Sequence, residues 1–219
     1  VSTVRESSQA PGPKTSAARD RLLRVASELF YREGIRGVGM DRVLAEAKVT
    51  RATMYRHFSG KEALVAACLR REDEIVRAAF AAALGGVPAS DGPARLVESI
   101  ADDFEHRHTR GCPFINAGLE YPDAASPVRV IVAEHRAWFR GLAGDVLAAR
   151  AAAAAAAETA ADAAAAGPDR GADADATAVA ADADALVLLR DGALVGAHLD
   201  DAVAVRTAFT ATARRLLAL

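Results

Sequence analysis

Apolar residues recur at a helical period along most of this chain. Leu22, Val25, Ala26, Leu29 and Phe30 stand at i, i+3, i+4, i+7 and i+8, one stripe of a helix predicted from Ala17 to Glu33. Thr15 or Ser16 is placed to cap it, and Gly34 to stop it. Val43, Leu44 and Ala47 mark a shorter helix over 41–47. Met54 and Phe58, four residues apart, mark a third over 50–58, with both side chains turned onto the first. Lys61-Glu62 opens a long fourth helix whose apolar positions include Ala63, Leu64, Ala67, Cys68, Ile75 and Phe80; Gly85-Gly86 and Pro88 end it.

The same period continues downstream. Leu96, Ile100 and Phe104 share a face behind Pro93, and that helix stops near Thr109 to Gly111. Pro113 suits the first position of a short helix reaching Glu120. After Pro122, Pro127 starts a helix through Val130, Ile131, Trp138, Phe139 and Leu142, and alanine carries it towards Ala166. Gly167-Pro168 must interrupt it, so 167–176 is expected to be a loop. Two late helices follow over about 179–196 and 201–218, the first with Leu186, Leu189 and Val195 and the second with Phe209. No period-two alternation occurs, so the fold expected is all-α, with nine helices. Residues 1–14 read as a flexible arm, 15–61 as a three-helix domain and 62–219 as a larger helical domain.

Composition sharpens this division. About a quarter of the residues are alanine, which favours helix over strand. The net charge of −2 conceals a basic head on an acidic body: residues 1–62 carry 12 Lys and Arg against 7 Asp and Glu, and residues 63–219 carry 15 against 22. Such a head suits a polyanion. Cys68 and Cys112 belong to no metal-ligand spacing, so neither metal nor cofactor is expected. Two thiols suit a reducing compartment, and no segment reads as a signal peptide or a membrane span. The setting expected is the cytoplasm.

The segment Thr50 to Phe58 carries the chemistry. A helix lying in the major groove reaches base edges with its first turns. Thr50 caps that helix, whose free N–H groups also favour a phosphate. Arg51 can reach guanine or phosphate, Ala52 permits close approach, and Thr53 can donate or accept at a base. Tyr55, Arg56, His57 and Lys61 are phosphate partners, joined by Arg42 on the preceding helix. Three helices with this last one describe a helix-turn-helix domain for duplex DNA.

Residues 17–64 resemble the N-terminal domain of the TetR family of transcriptional regulators. The resemblance rests on Leu22-Leu23, Val25-Ala26, Leu29-Phe30 and Gly34, on Met40-Asp41 and Val43, and on Thr53-Met54-Tyr55, His57-Phe58, Lys61-Glu62 and Leu64. It implies that Thr53, Tyr55, His57 and Lys61 take DNA-contact positions, with Thr50 and Arg51 at the helix start. Two positions depart from the family pattern. Gly39 replaces the usual hydroxyl cap of the second helix, and Lys48 replaces a turn glycine at a left-handed cost of about 1 kcal/mol.

The resemblance also implies a helical ligand-binding and dimerisation body. Residues 111–139 resemble one subgroup of such bodies. Cys68, Phe80, Phe104, Phe114, Asn116, Tyr121, Trp138 and Phe139 are the candidate pocket residues, an apolar set with a few polar handles. Leu186, Leu189, Val195 and Phe209 are the candidates for pairing the two late helices with those of a second copy. The function expected is a homodimeric repressor, bound to a palindromic operator and released by a small apolar ligand. Gating by protein contact or by oxidation of Cys112 is the alternative. An enzyme with Cys112 as nucleophile and His106, His108 or His135 as base is a remote one, for nothing sets their spacing and no catalytic residue is assigned. His106 and His108, two apart, point to different faces and are expected at a solvated helix end.

Overall fold

The computed structural model describes residues 17–162 and 172–219. The arm, the cap at Thr15 or Ser16, and the first half of the 167–176 segment, residues 167–171, lie outside the described residues. Helices α1 (Ala17–Glu33), α2 (Met40–Ala47) and α3 (Arg51–Tyr55) form the head. The body contains α4 (Lys61–Leu84), α5 (Gly92–Asp102), α6 (Pro113–Glu120), α7 (Pro127–Asp162), α8 (Ala172–Leu199) and α9 (Ala202–Leu216). Among the described residues there is no strand, and no helix is long and apolar enough to cross a membrane.

The α1 stripe is buried as its period requires, with Leu22, Ala26, Leu29 and Phe30 against α2, α3 and α4. Met54 and Phe58 close the head core from below α3. The recognition helix is shorter than expected. It ends at Tyr55, and Phe58 follows in a turn whose N–H still reaches the Met54 carbonyl at 2.9 Å. Lys48 takes the left-handed conformation (φ 52, ψ 48), and the Val49 N–H then reaches back to the Leu44 carbonyl at 3.1 Å. That bond and the burial of Val49 hold the turn despite a cost of about 1 kcal/mol for a residue with a Cβ.

Helix α4 starts in the head and runs through the body, packing on α1, α5 and α7. Its Ile75, expected inside, is exposed. Helix α5 passes into one π-helical turn, Asp103–Arg107, in which the His108 N–H reaches the Asp103 carbonyl at 2.8 Å. The five-residue register stacks the Asp103 and His108 side chains, and their carboxylate and Nδ1 meet at 2.9 Å. His108 is therefore buried, not at a solvated end, whereas His106 is exposed beside Glu105. Helix α8 begins at Ala172, within the segment expected to be a loop; alanine at every second position favours helix there.

Candidate nucleic-acid interface and its connection to the body

The head presents the start of α3 to solvent. The Thr50 hydroxyl accepts from the Thr53 N–H at 3.2 Å and donates to the Thr53 hydroxyl at 2.9 Å. This cap fixes the first turn, and Arg51, Ala52, Tyr55 (54% exposed) and Arg56 stand out from it. Arg56 Nη2 lies 3.3 Å from the Thr53 hydroxyl. The Arg51 guanidinium folds back onto the Asp41 carboxylate, an exposed pair that DNA can exchange for a base edge or phosphate at little cost. His57 is half-buried with its ring beside Phe58.

Two more of the nine expected DNA contacts, Arg42 and Lys61, hold helices of the head together. Arg42 bonds Glu46 at 2.9 Å through Nε and Glu33 at 2.8 Å through Nη2, so it ties α2 to α1. The Arg42 guanidinium holds the Glu33 carboxyl below its usual range. Lys61 donates to the Val38 carbonyl at 2.7 Å and lies 5.9 Å from the centre of the Phe30 ring. Burial lowers its amine from the usual value.

Most of the aromatic residues expected to line a pocket pack against one another or His135 in the body, and Phe80 also borders a smaller cleft between α4 and α5. Phe80 meets Phe139 and Trp138 edge-on at 5.7 and 6.2 Å between centroids. Phe114 stacks on His135 at 3.6 Å with planes 4° apart. Arg77 covers Trp138 and Arg190 covers Phe139. Phe104 packs edge-on against Phe209 at 5.5 Å. Tyr121 is half-buried at the end of α6, where burial raises its phenol.

A cleft of about 360 Å³ opens elsewhere, where α1 meets α4 and α6. Of the eight residues expected, only Cys68 and Asn116 line it. Two sets of hydrogen bonds flank it. Tyr31 on α1 donates to the Gly111 carbonyl at 3.0 Å and accepts from the Arg110 N–H at 2.8 Å. Glu120 at the end of α6 accepts from the N–H groups of Ile35 and Arg36 at 2.8 and 2.6 Å. Gly34, at φ +83, turns the chain there, and a Cβ on it would stand 3.5 Å from the same carboxylate. On the inner wall Glu72 meets His108 at 3.2 Å and Arg107 at 3.3 Å. Burial opposes charge on both Glu72 and His108, yet the pairing wins: the Glu72 carboxyl is lowered and the His108 imidazole raised. Periodicity gave no signal for Tyr31, Glu72, His108 and Glu120 as a group, because their partners are distant in sequence.

The candidate dimer residues divide. Leu186 and Phe209 are buried in the protomer's own core, and Leu189 packs half-buried against it. Val195 is exposed. It shares one face of α8 with Leu188 (70% exposed), Gly192 and Leu199 (72% exposed), and Val203 follows on α9.

Each histidine weighed as a catalytic base has a carboxylate neighbour: Glu105 for His106, Asp103 and Glu72 for His108, and Asp73 for His135. Cys112 is 2% exposed, and burial pushes its thiol up. Among the described residues no group of three or more His, Cys, Asp or Glu is arranged to hold a metal ion.

The family model for bacterial regulatory proteins of the tetR family matches residues 22–68, the head and the start of α4. Among curated proteins, the chain is 23% identical over 111 residues to the transcriptional regulator UidR of Escherichia coli, spanning 51% of this chain and 57% of that protein. It is 33% identical over 117 residues to the transcriptional activator FasR of Mycolicibacterium smegmatis, spanning 51% and 52%. The matched part is thus little more than half the length of these relatives. Among solved structures, SCO4454, a TetR-family regulator from Streptomyces coelicolor, is 40% identical over 93% of this chain and 96% of its own, with a TM-score of 0.77. A relation of that identity over nearly both whole chains, joined to a head whose residues match the family model, makes this chain a member of the TetR family of DNA-binding transcriptional regulators.

Proposed function

We propose that the protein is a homodimeric repressor that holds a palindromic operator through two copies of α3 and releases it when a small, largely apolar ligand binds. The observation carrying the DNA half is the capped start of α3, with Arg51, Ala52, Tyr55 and Arg56 all exposed on one short helix. Thr53 and His57 add polar contacts from half-buried positions. Lys61 and Arg42 act through the head, one bracing α4 against Val38 and the other joining α1 to α2. The exposed row Leu188, Val195 and Leu199 supports pairing of α8 and α9 with the same helices of a second copy. The setting is the cytoplasm, where the operator is found.

Selection of duplexes from a random library tests this reading. The recovered site should be a palindrome bound by one dimer. Arg51→Ala should weaken it by about 1–3 kcal/mol and relax one base position, if Arg51 reads guanine. Leu188→Arg with Leu199→Arg should give a folded monomer in sedimentation. A selected site without two-fold symmetry, or a dimer that survives both arginines, would refute the corresponding half. Gating by Cys112 oxidation has less support: the thiol is buried and its pKa raised, so little thiolate forms.

A further inference from the structure

The cleft between α1, α4 and α6 is not among the expected aromatic residues, and neither the DNA contacts nor the dimer face uses it. Its walls come from both parts of the protein: Ser27 and Phe30 from the head, Cys68 and Leu69 from α4, and Pro113 and Ala117 from α6. We infer that this cleft is the effector site, and that it takes an uncharged, mostly apolar molecule of two or three rings carrying one hydrogen-bond donor. The inference rests on the ligand-responsive reading above and assigns its site.

Size and charge select the ligand. About 360 Å³ lies within the range of small-molecule sites. The charged groups at the walls are already matched: Glu28 to Arg32 at 3.4 Å, Glu72 to Arg107 and His108, and Glu120 to two backbone N–H groups. The Glu28–Arg32 pair stands exposed at the rim and exchanges at little cost, but a charged ligand seated deeper would have to break the Glu72 or Glu120 pairing without a replacement for the group left behind. A neutral one need only cover apolar wall, and the Asn116 amide supplies a carbonyl oxygen as acceptor while its Nδ2 remains on the Arg110 carbonyl at 3.0 Å.

Coupling follows from the position. A molecule between α1 and α6 lies between the Tyr31 and Glu120 hydrogen bonds that join head to body. If it prefers a wider spacing of these helices, it shifts the heads away from the spacing the operator requires. Touching α1 directly, it needs no relay through the packed aromatic centre.

The test uses N-phenyl-1-naphthylamine, a neutral three-ring fluorophore with one N–H, titrated into the whole protein. One saturable site per protomer is expected, with weak or no binding of its sulfonated analogue, 8-anilinonaphthalene-1-sulfonate. Ser27→Phe, on the half-buried head wall, should lower affinity at least tenfold. Ala117→Leu does the same from the opposite wall, and either variant counts only if its thermal midpoint shows it folded. Phe139→Leu, in the aromatic centre, should leave binding unchanged. The probe should weaken the selected duplex by about 5- to 150-fold, and the duplex should weaken the probe by the same factor. Binding that persists in folded Ser27→Phe and Ala117→Leu but is lost in Phe139→Leu would move the site into the body and overturn the inference. So would tighter binding of the sulfonate than of the neutral probe, or probe binding with no effect on the duplex. Failure to select any duplex would instead sink the regulator reading, and the probe titrations would still decide whether the cleft binds.

Discussion

The centre of the body and the seam below the head are built from different materials. In the centre, Phe80, Phe114, Trp138 and Phe139 lie within ring-contact distance of one another or of His135, and the space between α4, α6 and α7 is filled. At the seam, hydrogen bonds and ion pairs fix α1 against α4 and α6 at a spacing that smaller side chains such as Ser27, Cys68 and Ala117 do not fill. Large rings supply contact area, so where they gather they exclude a cavity rather than line one. Polar tethers impose a distance, and room remains where the residues between them are small. The centre should therefore govern stability, and the seam should govern communication between body and head.

The largest expected effect lies in the centre. Phe139 is 1% exposed and touches Phe80, Trp138 and the Arg190 guanidinium. Phe139→Ala should destabilise the protein by about 3–5 kcal/mol in urea unfolding, the usual cost of deleting a buried ring. Ser27→Ala at the seam should change stability by less than about 0.5 kcal/mol. A Phe139→Ala cost below about 1 kcal/mol would mean that the centre is loosely packed and that the contrast fails.

The two regions also differ in how far they were legible in the sequence. The head was readable almost residue by residue, because its stripes are local and its cap and turn residues are type-specific; even the left-handed Lys48 was marked as the departure. Composition cannot tell rings that line a space from rings that fill it: Phe114, Trp138 and Phe139 pack on one another or on His135, whereas Phe80 packs on Trp138 and Phe139 and also borders a smaller cleft between α4 and α5. On α8, apolar residues surround the helix: Leu186 and Val187 are buried, Leu188 is exposed and Leu189 lies between. A helix apolar on all sides has no phase to read, which is why the candidates on it divide between the buried Leu186, the half-buried Leu189 and the exposed Val195. At the seam, only Cys68 and Asn116 among the lining residues had been named, and its hydrogen bonds were not legible. Tyr31 meets residues 79 and 80 positions away and Glu120 residues 84 and 85 away, separations that periodicity does not encode.

A pH titration gives the next effect in size, because each region buries one histidine with opposite consequences. In the centre, His135 is 1% exposed, its Nδ1 lies 2.7 Å from Asp73, and its Nε2 meets no partner among the described residues. Burial pulls its pKa down to about 4 against the Asp73 carboxylate. Between about pH 6.5 and 4 the unfolded chain binds this proton and the native protein does not, so stability falls as pH falls through that window. The loss is at most about 3 kcal/mol. At the seam, burial alone would lower His108, but Asp103 and Glu72 raise it above 6.5. Its contribution is complete below pH 6.5 and is lost as pH rises through the folded value. Unfolding free energies across pH 4.5–8 should show a maximum near pH 6.5. His135→Gln should flatten the acidic limb and His108→Gln the alkaline one. If His135→Gln leaves the acidic limb unchanged, the centre does not hold a neutral imidazole.

A smaller change in stability than from either Phe139→Ala or the pH titration is expected from Tyr31→Phe, and it separates the two roles most directly. The variant keeps the ring against His108 at the seam and removes only the hydroxyl that joins α1 to the Arg110 N–H and the Gly111 carbonyl. Deleting one partly buried hydroxyl costs about 0.5–1.5 kcal/mol, so the protein stays folded. The hydroxyl is one of the attachments between head and body that flank the cleft, and the Glu120 contacts with Ile35 and Arg36 would then hold its edge. A loosened head samples the operator spacing with or without a molecule in the cleft, so the neutral probe should lose its grip on duplex affinity. The ratio of duplex affinities measured without and with N-phenyl-1-naphthylamine should fall towards one in Tyr31→Phe, while probe affinity itself changes less than threefold. A ratio equal to that of the unmodified protein would show that the Tyr31 bonds are structural only. The coupling would then run through the Glu120 contact or along α4 into the body.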